Sequence, residues 1–183
     1  MTSAIYTMAV ESFVPMLHSL AKLLDKGAQH AKAKSFDAAV LANARLAPDM
    51  FPLIRQIQIA CDSAKHGAAR LMDREPPKYE DNEQTLDELK ARIAKTIDYL
   101  EKVDRAAFEG AENRQITIAL PNDMVLEMKG LRYLREWALP NFYFHVVTAY
   151  DILRHNGVDI GKRDFLDHVG DTIRQRGDLR KAG

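Results

Sequence analysis

Apolar residues recur along this chain at spacings of three and four, and four such stretches stand out. Residues Tyr6, Val10, Phe13, Leu17, Leu20 and Leu24 form the first, which predicts a helix from about Ser3 to about Gln29 with one face in a core. Pro15 lies inside it, cannot donate to the carbonyl of Glu11 and predicts a bend there. After a weakly periodic segment with room for a helical turn or two, Pro48-Asp49 signals a second start, with Asp49 as N-cap and Pro52 in the first turn. Met50, Ile54, Ile57, Cys61, Ala64, Ala68 and Leu71 continue that helix as a seam of small and branched residues. A third start is marked by Thr85-Leu-Asp-Glu88, an S/T-x-x-E capping box, followed by Leu89, Ile93, Ile97 and Leu100 up to about Asp104.

The fourth stretch, Pro140 to Gly157 (PNFYFHVVTAYDILRHNG), is the most apolar. Phe142, Val146, Ala149 and Leu153 make a core stripe, Tyr143, Tyr150 and Ile152 widen it, and Phe144 and Val147 make the far side apolar as well. Pro140 suits a first helical position, where its missing N–H is an orphan anyway, the residue before it is expected to end the preceding helix because it disfavours helical dihedrals, and Asn156-Gly157 suits a left-handed stop. A preceding turn or two, Leu131 to Leu139, is expected to place Leu134 and Trp137 inward.

Two segments break the helical period. Met72 to Gln84 (MDREPPKYEDNEQ) mixes Pro-Pro with charges and reads as a solvated loop. Gln115 to Leu120 alternates with period two, Pro121-Asn122-Asp123 is a turn cluster, and Met124 to Met128 returns, which predicts a β-hairpin just before the last helix. A short helix after Gly157 is expected to bring Phe165 under the bundle, with fraying from about Thr172. The expected architecture is all-α: a four-helix bundle with a small hairpin insertion, residues 1–183 forming one domain.

The runs LAPDMFPLIRQIQIACD and LPNFYFHVVTAYDILRHNGVDIGKRDFL resemble a bacterial branch of unknown function in the DinB/YfiT-like superfamily. The resemblance spans nearly the whole chain and implies a four-helix bundle that is often dimeric. It also implies a metal site in many members, built from one histidine on the second helix and an H-x-x-x-H pair on the last. Here that pair is broken, since Ala149 stands four residues after His145.

Charge narrows the partners. Twenty-six Lys and Arg residues against 26 Asp and Glu leave a formal net charge of zero, so no global field gathers nucleic acid or an anionic membrane. No apolar run approaches the roughly 20 residues of a membrane span, and the single cysteine, Cys61, allows no internal disulfide. The N-terminus lacks a basic start and does not read as a signal peptide, so a cytoplasmic location is expected.

Two kinds of chemistry are open. The first is a divalent transition metal, zinc, nickel or iron, held by Asp62, His66 and His145 as two imidazoles and a carboxylate. Asp62 and His66 have ligand spacing, but they lie at about 100° and 140° from the seam centre at Cys61 and read as outward-facing. His155 is about 80° around the last helix from His145 and nearly three turns away, so it cannot share an ion with it.

The second is a metal-free polar cleft, with His145, Tyr150 and Asp62 as catalytic candidates and Arg55, Gln58, Asn141 and Tyr143 lining a ligand pocket. There His145 would act as acid or base, with an Asp partner fixing its tautomer. No G-x-S-x-G, phosphate loop, C-x-x-C or H-E-x-x-H occurs. The reading favoured is a small-molecule-binding or stress-associated bundle with no resident cofactor. The alternative is a metal-dependent transferase or hydrolase acting on a small, possibly thiol, substrate, as the resemblance implies. Apolar residues all round the last helix predict a homodimer.

Overall fold

In the computed structural model, residues 4–173 are described. Four long helices form the bundle: α1 (Ala4–Ala33), α3 (Leu53–Leu71), α4 (Leu86–Glu101) and α6 (Leu139–His155), with a short α2 (Ala39–Asn43) crossing one end. They close a square in which α1 packs on α4, α4 on α3, α3 on α6 and α6 on α1. The seams predicted from spacing fill the centre. Phe13, Leu17, Leu20, Leu24, Ile57, Cys61, Ala64, Ile93, Leu100, Phe142, Val146 and Leu153 are all fully buried. Phe13 and Phe142 meet edge to face at 4.9 Å, an aromatic pair that ties α1 to α6.

Three boundaries differ from expectation. Helix α1 continues as a helix through Pro15 and runs a turn further than its spacing suggested, to Ala33. Helix α3 starts at Leu53 with Pro52, not Asp49, in the cap position; Pro52 is extended (φ −71°, ψ 168°) and offers no side-chain cap. One first-turn donor is satisfied otherwise, Leu53 N–H donating to Ala44 O at 2.9 Å, while the Gln56 side chain donates back to Phe51 O at 3.1 Å. The third difference is at Pro140. The chain does not leave the helix before it, and Leu139 is helical at φ −63°, ψ −47°. Helix α5 (Gly130–Tyr133) passes through a π turn at Leu134–Ala138 directly into α6, and Leu139 N–H donates to Leu134 O, five residues back. Proline supplies no donor to the carbonyl four residues earlier, and its ring crowds that carbonyl. A turn widened by one residue gives the ring room without ending the helix.

The capping box of α4 forms as read: Thr85 Oγ1 accepts from Glu88 N–H at 3.2 Å, and Glu88 accepts from Thr85 N–H at 2.9 Å. Between α3 and α4, the segment predicted to be a solvated loop has no helix but lies strapped across both helices. The hairpin pairs β1 (Gln115–Ala119) with β2 (Val125–Lys129) antiparallel, Thr117 opposite Glu127. Ile116 and Ile118 turn inward, while Asn122 and Asp123 take the left-handed conformations that close the turn. A Cβ on Gly130 would stand 1.8 Å from Ala111 O, so only glycine fits where the hairpin runs into α5. Helix α7 (Lys162–Phe165) closes the base, where Phe165 meets Tyr150. The fraying expected of the tail falls mostly on residues 174–183, outside the described ones. Among the described residues no helix is long and apolar enough to cross a membrane.

Candidate functional site

The π turn and the hairpin together shape one wall of a cleft of about 420 Å³, and the outer stripe of α3 shapes the other. Arg55, Asp62, His66 and Arg70 recur along α3 at helical spacing and line it, facing Tyr133 and Trp137 across the gap. Asn141 lines it too, but its amide nitrogen is engaged with Trp137 O at 2.8 Å, a carbonyl of the widened turn. Thus four of the predicted residues, Arg55, Asp62, His66 and Asn141, meet in one place. Contrary to the helical-wheel estimate, His66 does not face outward; it is half-buried against β1. Burial holds its imidazole below the ordinary range, Asp62 opposes that, and Arg70 and Lys65 reinforce it. His66 therefore sits in the cleft neutral at pH 7.

His145, Gln58, Tyr143 and Tyr150 lie outside this cleft. The partner of His145 is a glutamine rather than an aspartate: its Nδ1 is 2.7 Å from Gln56 Oε1. Gln56 is buried, and its amide nitrogen is engaged with Phe51 O, which fixes which end of the amide faces the histidine. An amide oxygen can only accept, so Nδ1 carries the proton and Nε2 keeps its lone pair. Burial and the nearby Arg55 guanidinium both lower the affinity of His145 for a second proton. The result is a fixed neutral tautomer, a competent base or single metal ligand. Tyr150 is turned away to meet Phe165 edge to face, ring centres 5.8 Å apart, and Tyr143 packs on Phe142, its hydroxyl pushed up by burial.

Asp62 and Gln58 belong to a charge network under the strap. Arg92 of α4 is almost fully buried and reaches Asp62 at 2.9 Å, Asp81 at 2.9 Å and Glu83 at 3.0 Å, and it also donates to Glu80 O. Asp62 is shared with Lys65 at 2.9 Å, Asp81 with Arg55, and Glu83 with Gln58 at 2.9 Å. Burial opposes ionisation of Asp81, yet the Arg55 and Arg92 contacts hold its carboxyl below the usual range. Tyr79 of the strap lies under Lys65 at 4.0 Å and Lys95 at 4.2 Å from its ring centre. Three cations thus face three carboxylates in a closed set, which leaves Asp62 committed.

Among the described residues, no three of His, Cys, Asp and Glu converge on a position that could hold a metal ion. Asp62, His66 and His145 are not brought together: the first two are in the cleft, the third is on Gln56. Cys61 is buried on the α3 seam, its thiol pushed up to about 12 by burial, and it is no nucleophile at neutral pH. Sequence reasoning missed Arg70 and Tyr133, and it took Trp137 only as an inward packing residue. The combination of Pro140 with an uninterrupted apolar period on both sides was the available signal, since it demands a local change of helical pitch.

The architecture is that of a DinB-like bundle, mostly helical with one two-stranded antiparallel hairpin. Residues 5–166 match the family described as "Domain of unknown function (DUF1993)", and the chain belongs to that family. It is similar to a crystallised DinB family member protein from Shewanella denitrificans, with 47% identity over 88% of this chain and 90% of that one and a TM-score of 0.82. No curated protein matches the chain.

Proposed function

We propose that this protein is a small-molecule-binding DinB-like bundle, acting in the cytoplasm as a homodimer, whose ligand occupies the cleft between α3, the hairpin and the π turn. The observation that carries the reading is the π turn itself. Such turns cost helical hydrogen bonding and recur at functional sites, and this one brings Trp137 and Tyr133 to the cleft wall opposite His66 and Arg70. The cleft volume is within the range of small-ligand sites.

The alternative, a metal-dependent transferase or hydrolase, draws support from one group, His145, whose open Nε2 is a single ligand with no neighbours among the described residues to complete the set. A stress-associated role is compatible with the binding reading and adds no residue to it. Metal analysis of untagged protein separates the two classes: substoichiometric zinc, nickel and iron is expected. Stoichiometric metal that disappears in His145→Ala would overturn the binding reading in favour of the enzyme.

A further inference from the structure

We propose that the cleft selects an organic monoanion, a carboxylate on a flat apolar body, with Arg70 as the group that recognises the charge. This rests on the reading of the cleft as the binding site.

The argument starts from charge balance. Arg55, Lys65 and Arg92 are matched by Asp62, Asp81 and Glu83, so the inner network is neutral and its members are mutually occupied. Arg70 stands outside that set. It lines the same cleft, and among the described residues no carboxylate forms an ion pair with it. Its one hydrogen-bond partner is the buried Tyr133 hydroxyl at 3.3 Å, a neutral group that orients the guanidinium without cancelling its charge. Burial keeps Tyr133 protonated and Arg70 adds to its acidity only weakly, so the phenol does not become a counter-ion. A half-buried guanidinium with several unused donors, planar and permanently charged, suits a carboxylate oxygen pair.

The carboxylates nearest to Arg70 do not fill this role. Asp73 and Glu75 line, with Arg74, an adjoining cleft that Arg70 and His66 also border, but among the described residues neither forms an ion pair with Arg70. Asp62 is held by two cations. The rest of the ligand is defined by the opposite wall: the Trp137 indole and Ile118 offer flat apolar surface. Neutral His66, one helical turn before Arg70, contributes a hydrogen bond without adding a second charge. One free cation beside an aromatic surface fits one anion on a flat body.

Trp137 is the only tryptophan of the chain, so its fluorescence reports occupancy directly. The experiment titrates the full chain with benzoate, its neutral isostere benzamide and the cation benzylammonium, and repeats the series on Arg70→Gln and Arg70→Lys. Benzoate is expected to shift the emission saturably and to bind about tenfold or more tighter than benzamide, the worth of a charged hydrogen bond. Arg70→Gln should erase that preference while leaving benzamide unchanged, and Arg70→Lys, which keeps a point charge but loses the fork, should fall between. Should Arg70→Gln fail to fold, the lysine variant carries the comparison. Equal affinity for benzoate and benzamide, or an unaltered benzoate affinity in the variants, would overturn the anion assignment and leave the cleft reading standing. An indole that responds to none of the three probes would overturn the cleft reading as well.

Discussion

Gln56 is the residue on which the interior polar chemistry turns. It is buried at the start of α3 and uses both ends of its amide, one on Phe51 O and the other on His145 Nδ1. Replacing it with alanine leaves the Phe51 carbonyl and the half-buried His145 ring N–H without these partners, which should cost about 1–3 kcal/mol in urea unfolding. A loss under about half a kcal/mol would mean that water satisfies both groups. His145 adds a pH dependence with a definite sign. Its affinity for a proton is lower in the folded state than in the unfolded chain, so between the two pKa values the unfolded chain binds more protons. The stability associated with neutral His145 is therefore fully present above about 6.5 and is lost as pH falls below it. His66 acts in the same direction. The thermal midpoint should fall between pH 7.5 and pH 5, and His145→Gln should flatten that slope; an equal slope in the variant would remove His145 from the account. His145 was legible from its place on an apolar helix, but Gln56 was not. A glutamine on a seam carries no mark until the neighbouring helix supplies its partner.

At the scale of elements, the four helices, the capping box and the hairpin followed from spacing, because each is set by local periodicity and by a cap within four residues. What periodicity missed were features set by distant partners. The segment from Met72 to Gln84 has the composition of a solvated loop, yet Arg92 holds it down through Glu80 O, Asp81 and Glu83, and Tyr79 is clamped between lysines. Nothing within the loop signals this; the anchor is an arginine on the next helix that a helical wheel treats as any other. Arg92→Ala should cost about 3 kcal/mol, since it strips a buried cation from three carboxylates. It should also expose the strap to proteolysis within residues 73–84. Cleavage rates matching those of the wild type would show that Tyr79 alone suffices to hold the segment. The cleft was half legible for a related reason. Arg55, Asp62, His66 and Asn141 were found by their residue types, whereas Arg70 and Tyr133 became part of it only once the π turn and hairpin had been placed opposite α3.

For the molecule as a whole, the bundle leaves part of α6 uncovered. Phe144 is 59% exposed and Val147 42%, so neither the hairpin nor the short α7 reaches that face. We propose that a second copy covers it in a closed two-fold dimer, the commonest arrangement of homo-oligomers. Light scattering at micromolar concentration should give twice the chain mass of 20.7 kDa, and a Phe144→Asp, Val147→Asp double variant should return the monomer. A wild-type mass near 20.7 kDa would refute the dimer.

The widened turn at Leu134–Ala138 has a consequence for the history of the chain as much as for its shape. A π turn amounts to one residue more than a regular helix needs, and each helical residue turns the chain by about 100°. Deleting Ala138 would tighten that turn against the Pro140 ring and swing Trp137, Tyr133 and the hairpin about the axis by roughly that angle relative to α6. Trp137 and Tyr133 would lose their position opposite Arg70, while the buried seams of α1, α3, α4 and α6 would stay in register. Insertion and deletion at this point would thus act as a genetic switch between a bundle with the cleft and one without it. The folded deletion variant should melt cooperatively but show no response of its indole to any of the three aromatic probes, and a retained response would show that the hairpin finds its own way back.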